Sequence, residues 1–109
     1  MNTLRAGSLR DHITIQRRLP GGGGLGQPSN NWEAVASTWA NIRYASGSET
    51  IRSGQIASKA QVSIRIRWRT GITAEMRVLS RGVEYAIKAV LPDHQRREYV
   101  DLVCEVTNG

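Results

Sequence analysis

At 109 residues the chain predicts one domain, and folding at that size takes roughly two-thirds of the unfolded surface out of water, enough for a modest core. Thirteen Arg and two Lys against nine acids give a net charge of +6, compatible with nucleic acid or an acidic protein partner. The lone Cys104 excludes an intrachain disulfide and a thiolate metal cluster, and there is no run of about 18 apolar residues to span a membrane.

The N-terminal stretch MNTLRAGSLRDHITI lacks an apolar segment and a small-residue cleavage site, so no signal peptide is expected and synthesis is placed in the cytoplasm. Leu4 to Arg10 reads as a short arm, tacked down by Leu4 and Leu9, in which Gly7 and Ser8 weaken any helix. His12 to Arg17 then alternates. Ile13 and Ile15 share one face, and His12, Thr14 and Gln16 share the other, which is the solvated one.

Pro20 to Asn31, PGGGGLGQPSNN, holds five Gly in twelve residues and predicts a mobile loop between two strands. It has no Gly-Lys-Ser/Thr ending and no helical pattern after it, so it is not read as a phosphate cradle. A loop of this length that orders on meeting a partner is the functional reading.

Trp32 to Tyr44 predicts a long strand. Val35 and Trp39 lie on one parity and Ile42 and Tyr44 on the other, which points to a bulge between Trp39 and Ile42. From Ser46 to Ala60 the strand pattern lapses. Ser48 can cap a short helix with Glu49 in its first turn, although Gly54 costs that helix about 1 kcal/mol.

Gln61 to Arg69, QVSIRIRWR, has the clearest alternation in the chain. Val62, Ile64, Ile66 and Trp68 form an apolar face, and Arg65, Arg67 and Arg69 a basic one. Met76–Leu79 and Glu84–Val90 predict a hairpin about Gly82, with Tyr85, Ile87 and Ala89 on one face. Leu91 to Arg97 reads as a polar turn around Pro92-Asp93. In the final strand, Glu98 to Val106, Val100, Leu102, Cys104 and Val106 face the core, and Tyr99, Asp101, Val103 and Glu105 face out. The pattern is mainly β: a small six-stranded antiparallel barrel or sandwich with one short inserted helix and a long Gly-rich loop.

No catalytic constellation emerges, since His12 and His94 are the only histidines and there is no Cys pair, His pair or nucleophile elbow. An enzyme is not expected, nor is a cofactor, a metal or a small-molecule substrate. Cys104 reads as a small core residue. The basic stripe allows a nucleic-acid-binding barrel using Arg65, Arg67 and Arg69. Against it, Trp68 lies on the wrong face for stacking, and Asp101 and Glu105 on the last strand can pair with the arginines.

Ala6-Gly7 to Arg17, Trp39-Ala40-Asn41-Ile42 and Ile64-Arg65-Ile66-Arg67, in this order and spacing, resemble the tailed-phage head–tail joining family. Its members are called head–tail adaptor, connector or head-closure (stopper) proteins. The resemblance implies a structural virion protein at the head–tail junction, made in the host bacterial cytoplasm. Its copies would form a homo-oligomeric ring between the portal/adaptor protein and the tail proteins, helping to close the channel that carries genomic DNA. With that role, partner contacts are expected from the loop (Gly21, Gly22, Gly23, Gly24, Leu25) and from the helical segment (Arg52, Gln55, Lys59). Arg65, Arg67 and Arg69 are expected in the barrel's outer wall or a subunit seam.

Overall fold

The computed structural model describes residues 6–20, 31–44 and 59–107. Six strands account for most of them: β1 (Asp11–Arg18), β2 (Trp32–Tyr44), β3 (Lys59–Arg67), β4 (Arg77–Ser80), β5 (Val83–Pro92) and β6 (Tyr99–Thr107). All pair antiparallel and close into a barrel in the order β1-β2-β3-β6-β5-β4. Closure leaves no sheet edge in need of a partner. Among the described residues the helical content is one 3-10 turn, Ala6–Ser8, followed by the buried Leu9.

The interior follows from the period of two. Ile13 and Ile15 from β1, Val62, Ile64 and Ile66 from β3, and Val100, Leu102, Cys104 and Val106 from β6 fill it with Ala40, Val78, Tyr85 and Ile87. Trp68 and Met76 pack against this core from its margin. The β4–β5 hairpin turns through Arg81 and Gly82, both at positive φ (51° and 80°), the two-residue geometry that matches strand twist. Ser80, buried at its base, donates its hydroxyl proton to the carbonyl of His12 at 3.0 Å.

Several expectations shift. The break in β2 is not between Trp39 and Ile42. Ile15 pairs with Ala36 and Gln16 with Ala34, so the extra residue is Val35. Ala40 and Ile42 share the inward parity, and Trp39 simply points out. A second irregularity follows Ile87, where Lys88 is the residue without a partner. It reverses the parity, so that Val90 rather than Ala89 packs against the core, and β5 continues through Leu91 and Pro92, which were expected in a turn.

The strand expected at Gln61–Arg69 runs instead over Lys59–Arg67, because β6 is long enough to pair Lys59 with Thr107. Lys59 and Ala60, expected in the short helix, are therefore strand. The rest of that helix and the loop glycines lie outside the described residues.

Candidate interaction surface

A barrel with a filled interior meets other molecules through its outer wall, and the wall's chemistry depends on which strands are neighbours. Arg65 sits opposite Asp101 and Arg67 opposite Tyr99. Arg65 donates from Nε and Nη2 to the two oxygens of Asp101 at 2.7 and 2.8 Å. Its guanidinium also lies 3.7 Å from the centre of the Tyr99 ring. Both partners of the ion pair are half-buried, and the hydrogen bond to Asp101 outweighs desolvation and raises the Arg65 pKa above its ordinary value.

Arg67 and Arg69 are exposed, and among the described residues neither forms an ion pair or ring contact. Arg43, on the outer face of β2, is in the same position. By register, Trp39 and Arg67 follow directly on the Ala40–Ile66 pair. Trp39 is 55% exposed and touches His12 edge-on at 5.2 Å between ring centres. The wall formed by β1, β2, β3 and β6 thus carries His12, Trp39 and Tyr99 beside Arg43 and Arg67, which have no carboxylate among the described residues, and Arg65, which has Asp101.

Where β2 begins, beside the end of β1 and the start of β4, the wall is different. Trp32 lies under two guanidinium groups, those of Arg77 at 4.1 Å and Arg18 at 4.8 Å. Arg77 also donates to the Gln16 side-chain oxygen at 2.8 Å and pairs with Glu84 at 3.1 Å. Beside them an open groove of about 740 Å³ runs along β4 and β5, lined by Glu75, Glu84 and Glu105 and equally by Arg18, Arg77 and Lys88, of which Arg77 pairs with Glu84 and Lys88 with Glu105.

Three other polar features are structural. The Asp93 carboxylate accepts from the backbone N–H groups of Gln95, Arg96 and Glu98 at 3.2 to 3.3 Å and organises the turn before β6. Desolvation raises its pKa, but these donors outweigh that and hold it below the ordinary value. The Tyr44 and Tyr85 hydroxyls are 3.0 Å apart, and burial first, then this bond, pushes the Tyr85 pKa upward. Burial pushes the Cys104 thiol up to about 12. A thiol so held is not a nucleophile at neutral pH. Among the described residues no cluster of His, Cys, Asp or Glu could hold a metal ion.

Of the residues expected to carry function, Gly21, Gly22, Gly23, Gly24, Leu25, Arg52 and Gln55 lie outside the described residues. Lys59 opens β3. Arg65 is taken up by Asp101, while Arg67 and Arg69 face solvent. Sequence reasoning passed over Trp39 and Tyr99 as companions of the stripe. The signal was present: Trp39 opposes Ile42 in parity, which was ascribed to a bulge rather than to an outward ring.

The family model for the phage head completion protein matches residues 4–107. The chain belongs to that family. Membership gives this head completion protein a structural role in the phage head. The solution structure of protein SF1141 from Shigella flexneri 2a is similar, with 31% identity, a TM-score of 0.68, and 100% of this chain and 97% of that chain covered. A chain in the virion of a native gene transfer agent particle is similar at 21% identity and TM-score 0.70, covering 91% of this chain and 94% of that one, a likeness of fold. No curated protein matches.

Proposed function

We propose that this head completion protein joins the phage head to the tail. Copies form a ring between the portal/adaptor complex and the tail proteins, help to close the DNA channel and dock the tail. The family match over residues 4–107 carries this reading, and the fold shared with a gene transfer agent virion chain supports it. The work is that of a structural part at the head–tail junction, assembled in the host cytoplasm, and asks for no chemistry. Gly21 to Leu25, with Arg52, Gln55 and Lys59, are assigned to partner contacts. Deleting the gene in a producing phage should leave heads without attached tails. Full heads with tails in the deletion strain would overturn the proposal.

A second reading has one observation in its favour. Trp39 and Tyr99 share the outer wall with Arg67, the mixture of rings and cations on which single-stranded nucleic acid stacks. Binding to a free oligonucleotide that weakens steeply with salt would support it. No binding at low salt would remove it.

A further inference from the structure

The positive surplus of the chain is concentrated on one part of its surface. The groove along β4 and β5 is balanced, with Arg18, Arg77 and Lys88 against Glu75, Glu84 and Glu105. The outer wall of β2 and β3, together with the turn before β6, is not. The Trp68 N–H donates to the Glu98 carbonyl at 3.0 Å, so Arg67 and Arg69, on either side of Trp68, lie against the turn that carries Arg96 and Arg97. With Arg43 and Arg65 these arginines face three acids, and each acid is already engaged. Asp101 is held by Arg65, Glu98 stands 3.9 Å from Arg96, and Asp93 accepts from three backbone N–H groups.

Arg43, Arg67, Arg69 and Arg97 are exposed and have no carboxylate among the described residues. The chain cannot supply four. Of its nine acids, six pair with cations and Asp93 is held by the backbone, which leaves Glu75 in the groove and Glu49 outside the described residues.

The spacing of these charges selects their partner. Arg43 lies opposite Ser63, and Arg67 follows four residues farther along β3, about 13 Å at the rise of a strand, with Arg69 beyond it. Charges so far apart cannot converge on one small anion, but they fit an extended polyanion. The rings are poorly placed for bases. The Arg65 guanidinium covers Tyr99 at 3.7 Å and Trp68 packs against the core, so of these rings and Trp39 only Trp39 is open to a base. Contacts led by charge rather than by stacking are those made to the phosphates of a duplex. We infer that this wall binds the backbone of double-stranded DNA through Arg43, Arg67, Arg69 and Arg97, without reading its sequence. This rests on the DNA-channel reading above and adds which residues meet the DNA; in the stacking reading Trp39 would lead instead.

The test is fluorescence anisotropy of a labelled duplex titrated with the purified full chain across a salt series. The logarithm of the binding constant should fall against the logarithm of salt with a slope of about −3 to −4, from counterions released at four arginines. Arg67→Gln and Arg69→Gln should each make the slope shallower by about 1. Changing all four arginines to Gln should weaken binding about a hundredfold or more with the thermal midpoint unchanged. Lys88→Gln removes the same charge from the balanced groove and should leave the slope as it is.

No binding at low salt, or binding that survives in the four-arginine variant, overturns the inference. A preference for single strands, with a loss in Trp39→Ala as large as in the arginine variants, assigns the wall to base stacking and overturns it. If poly-glutamate of equal charge binds as tightly as the duplex and is lost in the same variants, the partner is an acidic protein surface and the inference falls. Each of these results leaves the head–tail reading standing, because that reading falls only if the deletion strain still makes tailed particles.

Discussion

Val62, Ile64 and Ile66 point into the barrel and are at most 2% exposed, whereas Arg65 and Arg67, on the other face of the same strand, end in unlike surroundings. On the inner face every residue meets the same apolar interior, so alternation alone decides its fate. On the outer face each residue meets whatever the neighbouring strand presents at its register. Arg65 finds Asp101 and the Tyr99 ring, while Arg67, opposite Tyr99 in register, faces solvent. Two arginines that look equivalent in the sequence are thus different in kind: one is part of the wall, and the other is available to a partner.

The comparison can be pressed at five points. Ile64→Ala strikes the inner face and should cost about 2 to 5 kcal/mol in urea unfolding, because a wholly buried side chain leaves a cavity. A loss below about 1 kcal/mol would show that the barrel collapses around the gap and that its inner face is not the stronger determinant.

Alkali tests the same interior by charge. Cys104 and Tyr85 are held neutral inside, with folded pKa values raised above the ordinary 9.0 and 10.0. The unfolded chain therefore loses these protons first. Their contribution is full below about pH 9 and drains away as pH rises toward the folded values. Denaturant midpoints measured from pH 8 to 11 should fall, and Cys104→Val should flatten the early part of the fall. A flat profile in the wild type would contradict the burial argument.

Asp101→Ala removes the partner of a half-buried guanidinium and should cost about 1 to 3 kcal/mol. A double-mutant cycle with Arg65→Ala should show a coupling of about 1 kcal/mol, and additivity would mean the pair contributes nothing of its own. Asp93→Ala takes three backbone donors' acceptor from the turn before β6 and should lower the denaturant midpoint by less than Asp101→Ala does. Because the folded Asp93 pKa lies below 3.8, its contribution is present above that pH and is lost as pH falls through the lower folded value. The variant should lack that part of the acid titration. Arg67→Gln should change stability by no more than about 0.5 kcal/mol, since it breaks no contact among the described residues. A larger loss would place Arg67 in the wall beside Arg65 and erase the contrast.

Much of the fold was legible in the residues. The alternation in His12–Arg17, Gln61–Arg69 and Glu98–Val106 announced three strands and their buried faces to within two residues of their ends, and Gly82 marked the hairpin turn. The bulges were not legible. A bulge at Val35 or Lys88 shows only as a change of partner across a seam, and a single strand contains no record of its partner. The same blindness hid half of the candidate surface. Trp68 was judged against the arginines because it shares their strand, whereas the rings that join them, Trp39 and Tyr99, come from β2 and β6.

Returning to QVSIRIRWR, sequence alone determined that its residues alternate between an apolar and a basic face, because a strand has a period of two whatever surrounds it. It also determined that Val62, Ile64 and Ile66 would be core, since no other place in a small barrel accepts three β-branched residues on one face. Only the tertiary structure decided that Arg65 is consumed by Asp101 while Arg67 stands free beside Trp39. The reason is physical. Burial is a property of a residue and its period, but an ion pair needs a second group within about 4 Å, and only strand order and register bring that group there.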